Sequence, residues 1–175
     1  EYALDLTDTA IAAERATNDF NLYNEAGELK AIGNCYESFG IIVNTKLLGD
    51  AGYSLADITN FETLKAVAED IHARAAELGF DAFSAAGLAG SSSWRFSGHL
   101  ATLPLHYEGV NAAVPTITGE KLDLFKNVWD LYINNSAADV TSLTTSTGDE
   151  SKAQFVEGKA VFYQNGTWEY AGLIE

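Results

Sequence analysis

The sequence predicts an α/β sandwich of helices and short strands. Three observations carry this. Helical and strand-like segments alternate along the chain. One long segment, Asn60–Leu78, has a clear 3.6-residue apolar period. A short apolar run, Ala160–Tyr163, lies between Gly158 and the pair Asn165-Gly166, as a strand between a helix stop and a turn would.

Taken in order, Thr7–Ala16 is amphipathic and opens on polar Thr7 and Asp8, so a helix is expected there. Leu29–Cys35 and Phe39–Val43 are apolar runs interrupted by Gly33 and Gly40, which suits extended chain. In Asn60–Leu78, Thr59 and Glu62 stand at capping-box spacing. Phe61, Leu64, Val67, Ala68, Ile71, Ala75 and Leu78 share one face. Gly79 supplies the helix stop, and Phe80–Phe83 begins a short strand. The Gly/Ser loop Ala85–Ser93 leads into an apolar helix from Trp94 to Leu103, ended by Pro104. Glu120–Asn134 is a second clear helix, with Leu122, Phe125, Trp129, Tyr132 and Ile133 expected inward. Ser/Thr-rich Ala137–Gly148 reads as a loop and Glu150–Glu157 as a short helix. The strand Ala160–Tyr163 follows, then a tight Asn165-Gly166 turn.

Composition narrows the function classes. The 175 residues, 47% of them hydrophobic, suffice for one domain with a sizeable core. Twenty-five acidic against 10 basic residues give a net charge of −15. Nucleic acid and anionic membrane surfaces are repelled by such a chain. No apolar run approaches the roughly 18 residues that span a bilayer. The single cysteine, Cys35, allows no internal disulfide and is expected as a small buried residue. His72, His99 and His106 are scattered and form no ligand set with it, so no metal or cofactor is expected. There is no Gly-x-Gly-x-x-Gly, phosphate loop or Gly-x-Ser-x-Gly elbow, and abundant carboxylates alone do not make a glycosidase. A binding role is favoured over catalysis.

The segment Phe155 to Tyr170 is the richest in chemistry. A turn at a strand end brings backbone donors and the flat ring of Trp168 to the rim of a sheet, where ligands of open α/β sheets bind. An indole there can stack on the apolar face of a sugar while its N–H stays free for a hydroxyl. The local pattern serves equally well for a ring that plugs the sheet edge.

Three motifs resemble a known family. Phe155-x-x-Gly158-Lys159-Ala160, followed by Asn165-Gly166-x-Trp168, is similar to a signature of extracellular solute-binding proteins of sugar ABC transporters, the family of maltose-binding protein. Tyr36-Glu37-Ser38-Phe39-Gly40-Ile41-Ile42-Val43-Asn44-Thr45-Lys46-Leu47-Leu48 resembles the first crossover between that family's two lobes. Ile58-Thr59-Asn60-Phe61-Glu62-Thr63-Leu64 resembles a helix start of the family, with Phe61 in place of the usual Trp. The three stand in family order and together cover most of the chain.

The resemblance implies one lobe of a type II periplasmic-binding-protein-like fold, a central mixed sheet flanked by helices. Residues 1–35 would be the end of the first lobe and the lead-in to the crossover. Residues 36–175 would be the second lobe, incomplete at its C-terminal end. Trp168 and Trp94 fall where the family places rings that stack on sugar, and Glu37 where it places an acidic acceptor of sugar hydroxyls. Tyr36, Arg95 and Ser93 are neighbours of suitable chemistry. Trp94 as a plain helix-start residue and Glu37 as a solvated charge are the competing readings. The implied function is carbohydrate binding for an ABC importer by a monomer that meets membrane permease subunits. The implied place is extracellular, lipid-anchored or periplasmic. The alternative use of the same fold is the ligand-sensing domain of a signalling receptor, which an adjoining transmembrane or output segment would distinguish.

Overall fold

A computed structural model describes residues 2–35, 37–109 and 116–174, the side chains of 96 and 99–101 excepted. The chain divides into two units, Glu1–Ser38 and Phe39–Glu175.

In the first unit a short helix α1, Ala10–Ala13, precedes strands β1, Leu22–Tyr23, and β2, Leu29–Ala31. The strands pair antiparallel, with a register shift between Leu22 and Tyr23. The helix is far shorter than the expected Thr7–Ala16. Thr7 is held outside it, because its hydroxyl accepts the Leu29 N–H at 3.0 Å and donates to Asp5 at 2.6 Å. Thr9 becomes the cap instead. Leu29 and Ala12 are buried, whereas Cys35 is exposed, against expectation. Cys35 lies four residues after the end of β2, outside the strand.

The second unit is built on a three-stranded mixed sheet in the order β3-β5-β4. Strand β3, Phe39–Val43, runs into helix α2, Thr45–Asp50, which Asn44 caps by accepting the Leu47 N–H at 3.1 Å. Helix α3, Phe61–Ala73, buries Val67, Ala68 and Ile71. Its capping box lies one residue later than expected: Asn60 accepts the Thr63 N–H at 2.9 Å, and Thr63 Oγ1 accepts the Asn60 N–H at 3.1 Å. The expected single helix also breaks at Arg74, whose backbone turns to φ −100° and ψ 9°. Its guanidinium is tied to Asp70 and, at 2.8 Å, to the Ala51 carbonyl. A short α4, Ala75–Leu78, follows and ends at Gly79 in the left-handed region, φ 79°.

Strand β4 is Asp81–Phe83, and helix α5 is Trp94–Glu108. Pro104 sits inside α5 rather than ending it. Proline removes one helical hydrogen bond, but α5 packs along the next helix, and Glu108 near its end accepts the Thr118 N–H at 3.0 Å. That next helix is α6, Leu122–Asn134. Its inward face is Val128, Leu131, Tyr132 and Ile133. Leu122, Phe125 and Trp129, expected inward, lie on the outer face, where Phe125 and Trp129 stack with centroids 6.3 Å apart. The same apolar period fits two neighbouring faces of α6, and the sheet takes the one centred on Val128 and Leu131.

Helix α7, Gly148–Val156, opens on a Thr147/Glu150 capping box and is followed by Gly158 at φ 69°. Strand β5 then runs from Ala160 to Gly166, every residue buried, before a single helical turn Thr167–Glu169 and α8, Tyr170–Leu173. Here the structure differs most from expectation, because Asn165-Gly166 is strand and not turn. Strand β3 pairs antiparallel with β5 from Val43↔Phe162 to Phe39↔Gly166, which keeps the chain extended through the Asn-Gly pair to its last residue. Strand β4 pairs parallel with β5 on its other side. Phe83, Val161 and Phe162 form the core with the inner faces of α3 and α6.

Candidate functional site

The carboxyl end of β5 carries the site. Parallel β4 and β5 both end at this rim, and antiparallel β3 begins there. After β4 the chain passes through Ser84 and a Gly/Ser stretch with a helical turn at Gly90–Ser92, then enters α5 at Trp94. After β5 the turn Thr167–Glu169 presents Trp168. The structure thereby brings together two indoles 74 positions apart in the chain. Their centroids are 5.6 Å apart and their planes meet at 47°. Trp94 is 51% exposed and Trp168 36%. Phe39, paired with Gly166, is half exposed at the same end of the sheet.

Beneath the rings lies a buried polar layer. Trp94 and Arg95 are adjacent on a helix, so their side chains point about 100° apart. Trp94 faces out and Arg95 faces in, 4% exposed. Arg95 Nη2 donates to the Gln164 carbonyl at 2.7 Å, and the Gln164 amide donates back to the Arg95 carbonyl at 2.8 Å. The guanidinium also lies 4.9 Å from the Tyr163 ring centre and 3.3 Å from Ser151 Oγ. Burial pushes the Arg95 pKa down, and it pushes the Tyr163 phenol up. Ser151 Oγ donates to the Ala85 carbonyl at 2.6 Å, tying α7 to the loop after β4. Asn165 Nδ2 donates to Tyr163 Oη at 2.6 Å and to Glu169 Oε1 at 3.1 Å. Lys152 pairs with Glu169 at 2.9 Å, and this contact raises the lysine pKa.

Of the residues named from sequence, Trp94 and Trp168 meet. Arg95 is adjacent but turned inward, where the Gln164 carbonyl of β5 and Ser151 hold its head group. Ser93 is the residue before α5, and its hydroxyl donates to the Gly90 carbonyl at 3.2 Å, within its own loop. Glu37 is exposed in the first unit, and Tyr36 lies outside the described residues. Sequence reasoning missed Tyr163, Gln164, Asn165, Ser151 and Glu169. The available signal was two consecutive amides, Gln164 and Asn165, directly after an apolar strand run. Among the described residues no cluster of His, Cys, Asp and Glu could hold a metal ion. Nor, among the described residues, is any helix long and apolar enough to cross a membrane.

The whole chain, residues 1–175, matches the sequence model of the bacterial extracellular solute-binding proteins. The chain belongs to that family. The resemblance read from three motifs is borne out, and the helix-flanked mixed sheet is the fold class expected. Among curated proteins no sequence matches this solute-binding protein. Solved structures share its fold. One, described under xylan utilization by the thermophilic bacterium Caldanaerobius polysaccharolyticus, has a TM-score of 0.70 at 17% identity, over 99% of this chain and 44% of the other. A chitin oligosaccharide binding protein has a TM-score of 0.65 at 21% identity, over 99% and 43%. RafE from Streptococcus pneumoniae, solved in complex with raffinose, has a TM-score of 0.63 at 17% identity, over 98% and 45%. The solute-binding chain thus spans less than half the length of each.

Proposed function

We propose that this chain is part of the substrate-binding component of an ABC importer that takes a mono- or oligosaccharide. The observation that carries the reading is the Trp94–Trp168 pair, two partly exposed indoles in contact at the sheet rim. Flat aromatic faces suit the C–H faces of pyranose rings, and each indole keeps an N–H for a hydroxyl. The family, and structural neighbours described with xylan utilization, chitin oligosaccharide and raffinose, support a carbohydrate over other solutes.

In this reading the protein binds and does not catalyse. Residues 36–175 are much of the second of two lobes, and hinged closure over the ligand excludes water. Glu37 and Tyr36 take hydroxyls from the crossover, since an ionised carboxylate accepts two of them in charge-assisted bonds. Arg95 and Ser93 hold the ring-bearing loop. The receptor works as an extracellular monomer, lipid-anchored or periplasmic, and passes its sugar to the membrane permease subunits. Isothermal calorimetry of the complete receptor against mono- and oligosaccharides tests this. Saturable heat with at least one sugar is expected, and none across xylo-, chito- and raffinose-type oligosaccharides would refute it.

A further inference from the structure

Gly166 ends β5 in ordinary extended backbone, φ −114° and ψ 174°, which any residue adopts. Its dihedrals therefore do not call for glycine. The neighbouring indole does. A Cβ built on Gly166 would overlap the six-membered ring of Trp168 at Cζ2, Cζ3 and Cη2. The ring folds back over the strand it has just left and fills the space that a side chain at 166 would take.

The turn under the ring is held from both sides. Asn165 on one flank bonds Glu169 on the other at 3.1 Å, and Lys152 anchors Glu169 at 2.9 Å. A ring pushed off Gly166 cannot carry this turn with it, so the displacement falls on the side-chain torsions of Trp168. Trp168 is also the ring that meets Trp94.

We propose that Gly166 is a positioning residue. The bare Cα is the seat of the Trp168 indole, and it sets the 47° angle between the two rings. Any side chain at 166 unseats the ring and changes the shape of the recognition surface while the strand stays paired. Only the affinity consequence rests on the proposed sugar stacking, because the seat is defined without a ligand.

The test is Gly166→Ala in this chain and in the complete receptor. Indoles this close couple as excitons, giving a signed couplet in far-ultraviolet circular dichroism. Trp129, the third tryptophan, stacks on Phe125 instead. Trp94→Phe is expected to abolish the couplet, and Gly166→Ala to abolish or invert it. Thermal midpoints supply a double-mutant cycle. Gly166→Ala should lower the midpoint of the parent, yet leave Trp168→Ala unchanged or slightly raised, because alanine accepts this φ and loses less entropy on folding. An unchanged couplet overturns the proposal, as does an equal midpoint loss in both backgrounds. In the receptor, Gly166→Ala should weaken sugar binding by about tenfold, matching Trp168→Ala. If Trp168→Ala leaves sugar binding intact, the stacking function fails, while the couplet and the cycle still judge the seat.

Discussion

Arg95 and Gln164 grip each other in both directions. The guanidinium donates to the Gln164 carbonyl at 2.7 Å and the Gln164 amide donates to the Arg95 carbonyl at 2.8 Å. This exchange fastens the first turn of α5 to β5; Trp94 is the residue before Arg95, and Trp168 lies four residues after Gln164. Arg95→Ala should cost about 2–4 kcal/mol of stability, because it leaves buried acceptors unpaired and opens a void. Urea unfolding measures this, and a loss below about 0.5 kcal/mol would show that the clamp is idle.

The two indoles predict a separation of stability from binding. Trp168→Ala in the complete receptor should weaken sugar binding by about 1–3 kcal/mol. Both rings are partly exposed, so the stability loss should stay under about 1.5 kcal/mol. Calorimetric titration beside a thermal melt decides it. Unaltered affinity would place the site elsewhere.

The chain by itself should bind poorly. A single wall leaves the ligand's other face hydrated and gains nothing from closure. Its sugar affinity is expected to be millimolar at best, about −4 kcal/mol, with the complete receptor tighter by several kcal/mol. Micromolar binding by residues 1–175 alone would contradict a two-walled site.

Acid should weaken the second unit through Asp70. Its carboxylate accepts from Arg74 Nε at 3.0 Å and from the Tyr53 hydroxyl at 2.9 Å, and these bonds, Arg74's first, hold its pKa below the ordinary 3.8. A carboxyl depressed by folding adds stability above its unfolded pKa, and that stability is lost as pH falls through the folded value. Thermal midpoints of the parent should therefore drop below about pH 4. Asp70→Asn should show a shallower acid limb. Parallel limbs would remove Asp70 from the account.

Packing offers a fifth check. Phe83 is 1% exposed, edge-on to Tyr132 at 5.2 Å and 5.1 Å from Phe162. Phe83→Ala should cost about 3–5 kcal/mol. Trp129→Ala, on the outer face of α6, should cost much less despite the larger side chain. Similar losses in urea unfolding would mean that α6 buries its other face.

Where a local rule decides, sequence and structure agree. The start of β4 after Gly79, the stop at Gly158 and the entry of α5 at Trp94 depend on residues within one or two turns of each other. The alternation of elements was legible in the same way. Even the Thr59/Glu62 box was misread by only one position, because Asn60 and Thr63 offer the same chemistry one step on.

What only the tertiary structure decided involves partners far away in the chain. Asn165-Gly166 has the local signature of a turn, but pairing with Phe39 and Gly40, more than 120 positions earlier, holds it as strand. Which face of α6 is inward depends on the sheet it meets, so Trp129 stays outside. Arg95 turns inward because a carbonyl of β5 waits 69 positions downstream. The indole pair follows from the same fact: sequence placed each tryptophan at the end of an element, and the pairing of β4 with β5 set those ends side by side. Backbone propensity and caps act over a few residues, whereas register and burial are settled by contacts that exist only once the chain has closed on itself.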